Sequence, residues 1–148
     1  MFGDESFDIR VGFDAMDFGA VSSMLADAYW CKGISREEVE ESARNSAIVA
    51  GAFTKDGAQV GYARAISDKL RFAYILDVIV LEPYRGQGAA RAMMDRMIHG
   101  PEMSRVYQWL LITRDAHRFY EKLGFSVTSR PLDWMEIRKL RPPRLGNP

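Results

Sequence analysis

The stretch Arg85-Gly86-Gln87-Gly88-Ala89-Ala90 lies between an apolar run and a helical pattern. Unpaired backbone N–H groups and a helix dipole would there face one small volume, which favours an anion. Gly86 and Gly88 let the backbone curl and let a pyrophosphate approach without interference from a Cβ, while Ala89 and Ala90 keep the first helical turn thin. A ligand-free strand-to-helix turn would use the same glycines. Two familiar phosphate motifs do not fit. A P-loop needs Lys and Ser or Thr where Ala89 and Ala90 stand, and a dinucleotide turn needs a third glycine where Arg91 stands.

Other residues invite chemistry. Asp77 interrupts the apolar run Phe72–Leu81. An acid is costly to bury there, so it is either paired across the sheet or held for a chemical role. Asp115 and His117 flank the start of the last helix, where they could cap it or handle an acceptor. Cys31 is the single cysteine, so it cannot pair within the chain or build a metal site, and no protease-like signature surrounds it.

These residues must be positioned by elements that the patterning reveals. Phe7, Ile9, Val11 and Phe13 alternate with polar residues as in a half-buried strand. Phe18, Val21, Met24, Leu25, Ala28 and Tyr29 give a helix face capped by Asp14 or Asp17, and Lys32 and Gly33 end it. Ser35 and Glu38 have capping-box spacing and open a second, polar helix to about Asn45. Ile48–Thr54 and Gln59–Ile66 flank Lys55-Asp56-Gly57, a hairpin signal. Phe72–Leu81 is a central strand. A helix follows through Ala90, Met93, Met94, Met97 and Ile98 and stops at Gly100-Pro101, and then comes a strand over Val106–Ile112. A short helix from Ala116 to Leu123 is closed by Gly124, and Val127 with Trp134–Ile137 supplies last-strand material. The implied fold is α/β, a mixed sheet joining an antiparallel meander to a right-handed parallel βαβ unit.

The chain has 148 residues, with 20 Lys plus Arg against 20 Asp plus Glu, a formal charge of zero. That suits one domain, with a core over about 7–140 and a flexible Pro-rich tail over 141–148. Balanced charge argues against nucleic-acid or anionic-membrane partners, so an anionic ligand must be held locally. The polar start from Met1 to Ile9 lacks an apolar run, and a reduced cysteine suits a cytoplasmic setting.

The pattern Arg85-x-x-Gly88-x-Ala90 after an apolar strand, joined to Phe119-Tyr120-Glu121-Lys122-Leu123-Gly124-Phe125, resembles the GNAT N-acetyltransferases over nearly the whole domain. Tyr29-Trp30-Cys31-Lys32-Gly33-Ile34 and Trp109–His117 are similar to an uncharacterised branch of that family. The resemblance implies splayed central strands with the pantetheine arm of acetyl-CoA in the gap. The backbones of Val78 and Val80 would pair with the pantetheine amides, and the turn from Arg85 through Gly86, Gln87, Gly88 and Ala89 to Ala90 would hold the pyrophosphate, with charge added by Arg85 and Arg91. Tyr120 matches the tyrosine beside the CoA sulfur and is the expected general acid. Asp77 is the candidate base, although the family more often uses Glu or ordered water there. Tyr29, Trp30 and Lys32 lie where the acceptor site forms, and His117 could bind the acceptor. Thr113 stands where the family frequently has Asn, which weakens any role carried over to that position. The activity implied is direct acetyl transfer from acetyl-CoA to an amine of a small molecule or a peptide, without metal. The alternative is an acyl-CoA-binding domain without turnover, and a homodimer is left open.

Overall fold

A computed structural model describes residues 6–143. Its elements, in chain order, are β1 (Asp8–Val11), α1 (Phe18–Ala26), α2 (Arg36–Arg44), β2 (Ile48–Phe53), β3 (Gln59–Ser67), β4 (Ala73–Val80), α3 (Ala89–His99), β5 (Trp109–Leu110) and α4 (His117–Lys122). The sheet runs β1-β2-β3-β4-β5, antiparallel except for the parallel pair β4–β5, which α3 connects. This is the expected meander joined to a βαβ unit.

Alternation along β2 explains the layering. Ile48, Ala50 and Ala52 turn to one face, where they join Met93, Met94 and Met97 of α3. Val49 and Phe53 turn to the other, against Val21 and Leu25 of α1 and Val39 and Ala43 of α2. Both faces are covered, so all six residues of β2 are buried. Asp17, one of the two expected caps, accepts a bond from the amide of Ala20 at 3.2 Å, and Ser35 accepts from the amide of Glu38 at 3.1 Å.

Gln59 locks the start of α1 to the sheet. It is 3% exposed, accepts from the Asp17 amide at 2.7 Å and donates to the Gly61 carbonyl at 3.0 Å. A Cβ on Gly51 would come 2.5 Å from the Gln59 Nε2, so glycine is needed there for space.

Three expectations require correction. α1 ends at Ala26, and Tyr29–Cys31 forms a separate 3-10 turn, because Ala28 has turned to extended backbone. β5 is confined to Trp109–Leu110 rather than spanning 106–112. No last strand forms from Val127 or Trp134–Ile137 among the described residues. A strand needs a partner's ladder, and β5 offers only two paired residues, while Pro131 has no N–H to give. The segment runs irregularly and leaves Leu132, Met135, Ile137 and Leu140 92–99% exposed. Of the expected tail, residues 144–148 lie outside the described residues, as do residues 1–5 of the polar start.

Gln59→Leu removes the acceptor for Asp17 and the donor to Gly61 while keeping the volume. Urea denaturation should show a loss of about 1–3 kcal/mol. An unchanged midpoint would mean that Gln59 does not fasten α1 to the sheet.

Candidate active site

The site begins where the sheet opens. β4 and β5 pair only at Ala73 with Trp109 and Tyr74 with Leu110, so beyond Tyr74 the outer edge of β4 has no strand beside it among the described residues. The Leu81 amide donates to the Val60 carbonyl at 2.8 Å. By the alternation of an antiparallel ladder, the amides of Val80 and Val78 turn away from β3 and into that gap. Arg85 Nε donates to the Val80 carbonyl at 2.8 Å, so Val80 offers the gap its amide rather than its carbonyl.

A bulge lies next to these amides. Tyr62 faces Ile79 but Arg64 faces Leu76, and the register shift coincides with Asp77, whose φ is +57°. Asp tolerates that left-handed region better than a branched or bulky residue. Asp77 Oδ2 accepts from Arg64 Nε at 2.7 Å, and its Oδ1 accepts from Trp30 Nε1 at 2.9 Å. The Arg64 and Asp77 side chains are only 13% and 9% exposed. Both oxygens of Asp77 thus have a donor.

At the other end of the gap, Gly86 and Gly88 have φ of +76° and +90° immediately before α3. A Cβ on Gly86 would touch nothing within 4 Å, so that glycine serves its backbone angle. The helical ladder starts with the Ala92 amide on the Gly88 carbonyl, which leaves the amides of Ala89, Ala90 and Arg91 without helical acceptors. They border a cavity of about 350 Å³ lined also by Val80, Arg85 and Lys122. Gln87 is not part of this lining, and its side chain donates back to the Pro83 carbonyl at 3.2 Å. The arrangement suits a pyrophosphate: free amides, a helix N-terminus and cations around one cavity.

Between the strands lies a cleft of about 620 Å³ whose walls include Tyr29, Trp30, Asp77, Val78 and Tyr120. Tyr120 is fixed edge-on against Phe119 and Phe125, with ring centroids 4.9 and 5.8 Å away. Burial, and secondarily the nearby Tyr29, push its phenol above the ordinary value, so it stays protonated through neutral pH. His117, the first residue of α4, lines an adjoining cavity of about 320 Å³ that shares Tyr120 but excludes Tyr29 and Trp30. Cys31 is buried and its thiol donates to the Leu25 carbonyl at 3.3 Å, facing away from any nucleophilic role. Among the described residues no group of three or more His, Cys, Asp or Glu could hold a metal ion.

Residues 47–127 match the model of the acetyltransferase (GNAT) domain. The chain belongs to the GNAT family. A crystal structure of a GNAT-family protein from Xanthomonas campestris pv. campestris is similar at 34% identity and a TM-score of 0.81, covering 89% of this chain and 94% of that one. A protein of Gibberella zeae described as an acetyltransferase is 32% identical over 112 residues, 68% of this chain and 62% of that protein. An uncharacterized N-acetyltransferase of Pyropia yezoensis is 30% identical over 93 residues, 60% of this chain and 53% of that protein. The match thus spans between half and two thirds of the length of these two curated relatives.

Arg64, Arg114, Arg138 and Arg141 join the site without having been singled out by sequence pattern. Arg64 had a readable signal: it is a lone charge in a buried strand facing the next strand, which carries the lone acid Asp77. The other three converge on the cleft only through the fold.

Asp77→Asn keeps an acceptor for Trp30 and tolerates the same φ, but leaves the Arg64 guanidinium without its counter-charge. Thermal or urea unfolding should show a loss of about 1–3 kcal/mol, with no new step in the acidic limb of the pH–rate profile. Full stability with a lost acidic limb would make Asp77 the base.

Proposed function

We propose that this GNAT protein is an acetyl-CoA-dependent N-acetyltransferase that moves the acetyl group directly from the thioester to an amine, without a covalent enzyme intermediate. One observation carries the reading: the outward amides of Val78 and Val80 lie between the glycine-rich cradle and Tyr120 along one gap. The donor would lay its pyrophosphate against the amides of Ala89 and Ala90 and its pantetheine arm along β4 as an added strand. The thioester supplies the activated acetyl group, and the chain supplies orientation and proton control.

The acceptor amine must attack neutral, and a simple alkyl ammonium titrates near 10, so its proton has to leave through a base or water. Asp77, committed to Arg64 and Trp30, serves this scheme by fixing the bulge that aims the Val78 amide. As the amine adds, negative charge gathers on the acetyl oxygen, and we assign the Val78 amide as its donor. Collapse breaks the carbon–sulfur bond. Tyr120 gives its proton to the departing thiolate and recovers one, through water, from the nitrogen that sheds it, and burial suits it to that task by keeping it protonated. Tyr29 and Trp30 flank the acceptor, and the presence of a protonated Tyr120 in the cleft favours turnover over mere acyl-CoA binding.

No helix among the described residues is long and apolar enough to cross a membrane. A cytoplasmic setting fits the single buried thiol. A homodimer is supported by the arm carrying Met135, Ile137 and Leu140, whose exposed apolar surface is of the kind that marks protein contacts.

The test is thiol release from acetyl-CoA in the presence of a panel of amines. Tyr120→Phe should lower kcat by about tenfold to a thousandfold and leave acetyl-CoA affinity within about twofold. In the parent, the raised phenol should put any alkaline loss caused by Tyr120 above the ordinary phenol range near 10. An unchanged kcat in the variant would remove Tyr120 from the proton path.

A further inference from the structure

We propose that the amine acceptor carries an anionic group, a carboxylate or a phosphate, which is held by Arg114, Arg138 and Arg141 at the mouth of the cleft. This rests on the acetyl-transfer reading and names the substrate class for the same site. In a chain of zero net charge, three guanidinium groups line one cavity. Two carboxylates share that lining: Asp77 is already engaged by Arg64 and Trp30, which leaves Asp115 as the counter-charge. Even with Glu136, which pairs with Arg138, three cations face two available anions.

Each guanidinium is committed only in part. Arg141 gives one Nη1 donor to the Trp30 carbonyl at 3.1 Å. Arg138 meets Glu136 at 3.5 Å in an exposed pair. Arg114 lies over the Tyr29 ring, 4.0 Å from its centroid. An arginine fork has five donors, so every one of the three retains N–H groups for a carboxylate or phosphate. The Tyr74 phenol, in the same lining, is raised by burial and pulled back by the charges of Arg138 and Arg64, as expected if the Arg138 charge reaches the cleft.

These arginines are not the ones that would hold the donor's pyrophosphate. The cradle is bordered by Arg85, Arg91 and Lys122, and the two cavities have no lining residue in common. The second set of cations thus faces the side of the thioester on which Tyr29 and Trp30 stand. A polyamine or a lysine-rich tail would meet like charge there, whereas an amine bearing an anion would be oriented by it, with the Tyr29 and Trp30 rings along its apolar part.

The experiment uses pairs of amines that differ in one anionic group, phenylalanine against phenethylamine and O-phosphoethanolamine against ethanolamine, with spermidine as the cationic comparison. At saturating acetyl-CoA, the anionic member of one pair should show a kcat/KM higher by about tenfold or more, the size of one charge-assisted hydrogen bond. The pair that responds identifies carboxylate or phosphate. Arg138→Gln should reduce that preference to about threefold or less through KM, with kcat held. Preference for the neutral members or for spermidine, or a preference unmoved by Arg138→Gln, overturns the proposal while leaving acetyl transfer intact. If no amine is turned over, acetyl transfer itself fails, and calorimetric titration of N-acetylphenylalanine against N-acetylphenethylamine decides the pocket. Tighter binding of the former, weakened by Arg138→Gln, supports it, and equal binding overturns it.

Discussion

Three segments meet at the Asp77 carboxylate: β3 through Arg64, β4 through the bulge at Asp77 itself, and the Tyr29–Cys31 turn through Trp30. A buried charge with one partner removed is a liability, so the three are held as a set. The bulge adds a residue to β4 where its outer neighbour has already parted from it. The bulge in β4 and the wall that carries Tyr29 and Trp30 therefore share the same carboxylate. The C-terminal segment joins them when Arg141 bonds the Trp30 carbonyl.

Around that anchor the chain separates two electrostatic tasks. Backbone amides at the start of α3, with cations beside them, offer a site for phosphate charge at one end of the gap. A second group of arginines lines the cleft that holds Val78 and Tyr120, a cavity that shares no lining residue with the first. The same cleft holds a phenol that burial keeps protonated. A chain with no net charge thus creates strong local fields by placement alone.

Much of this was legible in the sequence, for physical reasons that differ by region. The hairpin about Gly57, the alternation of Phe7, Ile9 and Val11 and the methionine face of α3 follow from local periodicity, which a single sequence displays directly. The turn from Arg85 to Ala90 was readable because positive φ at Gly86 and Gly88 restricts residue choice. The end of the chain was not, since the apolar residues from Val127 to Ile137 read as a strand whether or not an edge is available to receive them. Only the short β5 shows that it is not. His117 and Tyr120 lie one turn apart on α4, yet His117 faces the neighbouring cavity and Tyr120 both, a distinction of helix rotation that spacing alone does not carry. The pairing of Arg64 with Asp77 required knowing the β3–β4 register, including its shift.

In the proposed donor complex the free edge of β4 receives the pantetheine arm. Amide hydrogen exchange followed by NMR on the labelled protein tests it at individual residues. Saturating acetyl-CoA should slow exchange at the Val78 and Val80 amides by about tenfold or more, because each gains an acceptor that the sheet does not supply. Unchanged exchange at both amides, with acetyl-CoA shown to be bound, would contradict the account.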